Sequence, residues 1–275
     1  MQKRRILTVN FGDTHSGSST ALFPNYKMYF KYDDNNIFAY EPTLRQSLMY
    51  DHFLFCADYI RANSAGAQIV FVMNGDAIDG NHHGTVQVVS ANPKHHSEIF
   101  IELMDTFLDR SGFSVKNGDE LYFVSGTESH TGWEEYGISN HYQHMGATYH
   151  DELRLTLNER RAWWTHQGAR PGKGVKEGNP IRNFAADLYW DCIKENVLPP
   201  HLLFSSHFHK SAYDSFNDSY KHTIHYQTLA SWQYKTRFGL RAAPYQRNDI
   251  GLTVTEISEN GDVRINAPLL MKESK

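Results

Sequence analysis

Short apolar runs that stop, one after another, at Asp or His constrain this chain more than any other feature. The run Gln68-Ile69-Val70-Phe71-Val72-Met73 is apolar and β-branched enough to read as a fully buried strand. It ends in Asn74-Gly75-Asp76, a turn at the strand's carboxyl end. Ile6-Leu7-Thr8-Val9-Asn10-Phe11 ends in Gly12-Asp13-Thr14-His15, and His201-Leu202-Leu203-Phe204 ends in Ser205-Ser206-His207-Phe208-His209. Leu121-Tyr122-Phe123-Val124 runs into Ser125-Gly126-Thr127-Glu128-Ser129-His130, and Arg161-Ala162-Trp163-Trp164-Thr165 into His166. Asp13 with His15, and His207 with His209, are i, i+2 pairs whose side chains share one side of an extended backbone. Asp is an ordinary turn residue, so any one of these endings is unremarkable alone. Five in one chain point to a shared site, because ligands of open α/β sheets collect at the carboxyl edge.

The order Asp-x-His, Gly-Asp-x-x-Asp (Gly75 to Asp79), a glycine turn with a His, a lone strand-end His and then His-x-His resembles the calcineurin-like metallophosphoesterase family. The resemblance spans Asp13 to His209. It implies an α/β fold, a β-sandwich flanked by helices, with a dimetal cleft at the strand carboxyl ends. It also implies that Asp13, His15, Asp76 and His209 hold one divalent ion, and Asp76, His166 and His207 a second, with Asp76 as the bridge. Mixed Asp/His sets suit Mn²⁺, Fe²⁺, Zn²⁺ or Ni²⁺ better than Mg²⁺ or Ca²⁺. The expected activity is hydrolysis of a phosphate mono- or diester through a dimetal-activated water.

The departure from the family lies at Gly126-Thr127-Glu128-Ser129-His130, where the usual Gly-Asn-His is replaced by Gly-Thr-x-x-His, a variant that resembles members associated with bacteriophage genomes. Thr127 is a poor ligand, so Glu128 is the expected replacement for the missing Asn, with Asn81 in the next loop as the alternative. His130 is the expected general acid, since a His near its ordinary pKa donates at neutral pH. Asp79 reads as a turn residue or as a carboxylate that orients a ligating His. Two other readings remain open: a DNA or RNA nuclease of the same family, and a non-catalytic, metal-stabilised scaffold.

A length of 275 residues, 40% hydrophobic and 13% aromatic, suits one large domain over 1–275. The formal charge of -4 gives no global attraction to nucleic acid or to anionic membrane. A nuclease needs a basic track, for which the loop 168–180 with Arg170, Lys173 and Lys176 is the one candidate. The amino terminus has no apolar leader and no run is long enough to span a bilayer, so a cytoplasmic protein is expected. Cys56 and Cys192 read as reduced core residues.

Between the strand ends, the residues 16–42 read as a long irregular connection rich in aromatics, a flap or wall beside the site. Helices are expected over 44–62, over 97–108 with Ser97 as N-cap, over 133–144 and over 181–195. In the first of these, Leu44, Leu48, Phe53, Phe55 and Ile60 set the apolar spacing. A hairpin is expected across Asn158-Glu159-Arg160, with further strands over 223–229, 251–257 and 263–267.

Overall fold

The computed structural model describes residues 3–33, 35–80, 87–128, 132–219, 221–242 and 248–271. Chain order begins with β1 (Ile6–Phe11), β2 (Met28–Asp33), β3 (Asn36–Tyr40), α1 (Leu44–Asn63), β4 (Gln68–Asn74), α2 (Pro93–Ser111) and β5 (Glu120–Val124). It continues through α3 (Glu134–His141), β6 (Thr148–His150), β7 (Glu152–Leu157), β8 (Arg160–Thr165), α4 (Asn179–Lys194) and β9 (Leu202–Ser205). Last come β10 (Ala212–Asn217), β11 (Thr223–Thr228), α5 (Arg237–Ala242), β12 (Gly251–Ile257), β13 (Val263–Ile265) and β14 (Leu269–Leu270).

Two sheets face each other. A seven-stranded sheet has the order β13-β12-β1-β4-β5-β6, with β14 also on β12; a five-stranded sheet has the order β10-β11-β9-β8-β7. β1, β4, β5 and β6 are parallel, as are β8, β9 and β11. Strand alternation sorts the core. Val70, Val72 and Val124 point between the sheets to meet Ala162, Trp164, Leu202 and Phe204. Ile69, Phe71 and Met73 point the other way, onto Phe53, Phe107 and Ile138 of α1, α2 and α3. Trp163 and Leu203 of the second sheet pack outward on Ile181, Ala185 and Tyr189 of α4. The result is the expected sandwich with helices outside both sheets.

Polar groups inside the sandwich fix how the sheets meet. Trp164 Nε1 donates to Asn10 Oδ1 at 2.7 Å, and Asn74 Nδ2 donates to the Thr165 carbonyl at 3.0 Å and to Ser206 Oγ at 2.9 Å. Such buried polar groups are costly unless paired, so these bonds select one alignment. That alignment brings the carboxyl ends of β1, β4, β5, β8 and β9 to one edge.

Local chemistry accounts for the element ends. α1 begins with a capping box in which Thr43 Oγ1 accepts from the Gln46 amide and Gln46 Oε1 accepts from the Thr43 amide. Its buried face is Gln46, Met49, Phe53, Cys56, Ala57 and Ile60. Leu44, Leu48 and Phe55 point to solvent, Leu44 with 77% exposure, because they fall off the stripe that the sheet covers. α2 starts four residues before the expected 97: Asn92 caps it, Pro93 occupies the first turn, and Ser97 lies inside the helix donating to the Pro93 carbonyl. The β7–β8 turn holds Asn158 and Glu159 both at positive φ, the backbone of a tight hairpin.

The segment 16–42 is more regular than expected, since it contains the β2–β3 hairpin. That hairpin docks on the start of α2: Phe30, Tyr32 and Phe38 surround the His95 ring, and Tyr32 Oη lies 2.9 Å from Ser90 Oγ. β6 and β10 are strands that the sequence pattern does not announce. Cys56 and Cys192 are free and buried. Among the described residues, no helix is long and apolar enough to cross a membrane.

Candidate metal centre

The loop after β1 and the loop after β4 are laced together by backbone bonds. The Asp13 amide donates to the Gly75 carbonyl at 3.0 Å, and the His15 amide to the Asp76 carbonyl at 2.9 Å. Below them Phe11 packs against Phe53, Phe71, Phe107 and Trp232 with ring centroids 5.2 to 6.1 Å apart, and the Trp232 amide donates to the Asp13 carbonyl. Aromatic pairs of this kind contribute roughly 0.5–1.5 kcal/mol each beyond area burial, so the loops stand on a stiff floor.

Asp13, His15, Asp76, His207 and His209 all have φ between 45° and 71°. Left-handed backbone costs a non-glycine residue about 1–3 kcal/mol, and it is retained where surrounding contacts overdetermine it. Five such residues gathered at one edge of the sandwich indicate a geometry selected for the site and not for stability. Gly75 cannot carry a side chain, because a Cβ there would come 2.3 Å from His166 Nδ1.

Two groups of side chains result, Asp13 with His15 and His209, and Asp76 with His166 and His207. In the first, His15 Nε2 and His209 Nε2 lie 3.0 Å apart, and His209 Nε2 lies 3.4 Å from Asp13 Oδ1. In the second, His166 Nε2 lies 3.2 Å from Asp76 Oδ2. The same Asp76 oxygen is 3.8 Å from His15 Nε2, so it stands between the groups. Its other oxygen accepts from the Thr127 amide at 2.6 Å. Thr127 Oγ1 also faces the second group, 3.2 Å from His166 Nε2 and 3.4 Å from His207 Nδ1.

Neighbours orient these ligands. His166 Nδ1 donates to the Asn74 carbonyl at 2.9 Å, which leaves Nε2 as the lone pair in the neutral ring. His15 Nδ1 lies 3.2 Å from Asp79 Oδ1, so Asp79 takes the orienting place, and Gln233 Nε2 donates to the same carboxylate at 3.3 Å. The His207 amide donates to both Asp13 oxygens. His209 lies against the side chain of Asn248, 3.0 Å from Nδ1.

Charge is unbalanced in the protein alone. Burial pushes His166 down, but the Asp76 and Asp13 carboxylates outweigh it and hold the ring up at about 10. His15 is likewise raised against its burial by Asp79 and Asp76. Asp13 is held below the usual carboxylate range, because His209 overcomes the upward push of burial. His207 is lowered by burial and by His166. Carboxylates and ring nitrogens converging within such distances fit divalent cations, which would take the place of the extra protons.

Six of the seven metal candidates read from the sequence are brought together. Glu128 is exposed and lies in neither group; its carbonyl accepts from the Gly132 amide at 3.1 Å. Asn81, His82, His83 and His130 lie outside the described residues. The sequence reading missed Glu135. Fully buried at the start of α3, it accepts from the Ala77 amide with Oε1 and from the Gly126 amide with Oε2, each at 2.7 Å. Burial, then the charge of Asp76, pushes it up to about 7. No sequence signal separates it from exposed Glu134 beside it.

No family model matches this chain, and no curated protein matches it. Solved structures resemble it at low identity. A conserved uncharacterised protein described as a predicted phosphoesterase from Streptococcus pneumoniae is 9% identical with a TM-score of 0.34, over 94% of this chain and 93% of that one. A novel archaeal phosphodiesterase is 8% identical with a TM-score of 0.44, over 96% of this chain and 99% of that one. The NAD nucleotidase of Haemophilus influenzae is 10% identical with a TM-score of 0.40, over 96% of this chain and 49% of that one.

Proposed function

We propose that this protein is a metal-dependent phosphoesterase that hydrolyses a phosphate mono- or diester. The observation that carries the reading is the position of Asp76 Oδ2, 3.2 Å from His166 Nε2 and 3.8 Å from His15 Nε2, a single carboxylate oxygen shared by two ligand groups. Two divalent ions held at Asp13, His15 and His209 and at Asp76, His166 and His207 would supply Lewis acidity toward phosphate oxygens and an activated water.

The chain's own residues prepare that chemistry. The Thr127 amide occupies Asp76 Oδ1 and so commits Oδ2 to the space between the groups. Asn74 and Asp79 turn His166 and His15 so that each presents Nε2 to its group. Thr127 follows Gly126 as Asn follows Gly in the resembled motif, and its Oγ1 faces the second group, while Glu128 is the charged alternative one residue on. His130 is assigned by that resemblance to protonate the leaving oxygen.

The test is hydrolysis of an aryl phosphodiester and an aryl phosphomonoester by metal-stripped protein resupplied with Mn²⁺. Turnover that returns with the metal, is abolished in Asp76→Asn and is reduced in His130→Ala supports the reading, and the preferred ester defines the bond cleaved. Tight Mn²⁺ binding without turnover of any ester moves the protein to the non-catalytic scaffold.

A further inference from the structure

Two ring nitrogens of the first ligand group point away from it. His15 and His209 turn their Nε2 atoms toward each other, 3.0 Å apart, so each ring presents Nδ1 to its surroundings. What meets those outer nitrogens decides whether the rings keep that pose. Asp79 Oδ1 lies 3.2 Å from His15 Nδ1, and Asn248 Nδ2 lies 3.0 Å from His209 Nδ1. Either tautomer of the His209 ring can find a partner in the Asn248 amide, which carries both a donor and an acceptor.

Both partners lead to one residue. Gln233 Nε2 donates to Asp79 Oδ1 at 3.3 Å, and the Gln233 carbonyl accepts from Asn248 Nδ2 at 2.9 Å. Gln233 therefore stands behind both histidines, by its side chain for one and by its main chain for the other. Its own place is fixed on two sides. The amides of Trp232 and Tyr234 donate to the Asp13 and Thr20 carbonyls, which ties the segment to the loop after β1. The Ser231 amide donates to the Asp249 carbonyl and the Asp249 amide to the His209 carbonyl, which ties it to the Asn248 segment and to the second histidine.

Folding alone does not call for an amide here. Gln233 is 3% exposed, and a buried amide costs stability unless paired, whereas an apolar side chain of similar volume needs no partner. The partner it takes is a buried carboxylate that meets a ligand histidine.

We propose that Gln233 and Asn248 are positioning residues for the ion of the first group, holding His15 and His209 with Nε2 inward. The second group is built differently, since His166 Nδ1 donates to the Asn74 carbonyl and takes its pose from the main chain. Substitution at 233 or 248 should therefore reach one ion and spare the other. The proposal rests on the metal-dependent reading of the site, to which it adds two residues that lie beyond the last ligand in the chain.

The test is Mn²⁺ calorimetry on metal-free protein. His166→Ala removes a ligand of the second ion and leaves the first to be measured alone; His15→Ala does the converse. Added to His166→Ala, Gln233→Met, which keeps the volume and removes the amide, should weaken the remaining ion about tenfold, and so should Asn248→Ala. Added to His15→Ala, the same two substitutions should leave the remaining ion within about twofold, a contrast that general loosening of the fold does not produce. Asn248 is only half-buried, so Asn248→Ala still decides the matter if Gln233→Met fails to fold. A substitution that leaves the first ion unchanged, or weakens both ions equally, strikes that residue from the role. Wild-type protein that binds no Mn²⁺ removes the metal-dependent reading and the proposal with it, a result distinct from two ions bound without regard to residues 233 and 248.

Discussion

The Glu135 carboxylate accepts a hydrogen bond from the Gly126 amide at 2.7 Å, and its second oxygen accepts from the Ala77 amide at the same distance. One buried side chain thus joins the loop that carries Asp76 to the loop that carries Thr127. The two loops are in contact, for a Cβ on Gly126 would lie 2.3 Å from the Asp76 amide nitrogen. Glu135→Ala strands two buried donors and should lower unfolding free energy by about 3 kcal/mol, measured by denaturant titration. Glu135→Gln keeps the volume and one acceptor, so the protein should stay folded while the weaker of its two Mn²⁺ affinities falls about tenfold.

Asp76 Oδ2 lies 3.2 Å from His166 Nε2 and 3.8 Å from His15 Nε2, between the two groups of side chains. Asp76→Asn retains its shape and removes its charge. Mass spectrometry of metal content should show two ions per chain in the wild type and no more than one in the variant, with thermal stability changed little in the metal-free proteins.

In the proposed metal site Thr127 and Glu128 are alternatives for one ligand position. Thr127 Oγ1 lies within 3.2 to 3.4 Å of three ligand atoms of the second group, and Glu128 faces solvent. Thr127→Ala is expected to weaken the second ion about tenfold, and Glu128→Ala to leave it within twofold. A calorimetric result with the order reversed would assign the place to Glu128.

His166 is expected to make any metal affinity depend on pH. The folded, metal-free protein raises this ring from 6.5 to about 10, so its contribution to stability is complete below pH 6.5 and is lost as pH rises through 10. At pH 7.5 an entering ion must displace that proton. Calorimetry in buffers of different ionisation enthalpy should register proton release on binding, and affinity should rise with pH across the neutral range.

At the other end of β9 from His207, His201 has the opposite sign. Its Nδ1 accepts from the Arg161 amide at 3.1 Å, a bond available to the neutral ring, and desolvation with nearby Arg161 and His222 depresses it to about 4. The stability it contributes is present above pH 6.5 and is lost as pH falls through 4. Solvent screening of a half-buried ring keeps the effect modest. His201→Gln should therefore flatten the acid side of the melting-temperature profile in metal-free protein.

Strand identity was legible because burial on both faces leaves continuous apolar runs, as at Gln68–Asn74 and Leu202–Ser205. Helix faces were less so. The α1 stripe runs through Gln46, Met49 and Cys56, and exposed Leu44 and Phe55 mimic an apolar spacing that nothing covers. β10 escaped notice because Ala212–Asn217 has no apolar alternation; it forms by pairing with β11.

The sequence by itself determined which side chains can coordinate. Asp13, His15, Asp76, His166, His207 and His209 each end an apolar run, and a strand's end is fixed by local hydrophobicity and turn chemistry. Only the tertiary structure decided how they divide into two groups, that Thr127 rather than its charged neighbour faces the second group, and that Glu135 grips both loops. Those outcomes depend on the alignment of two sheets and on burial, which arise from contacts between residues far apart in the chain and leave no periodic trace in it.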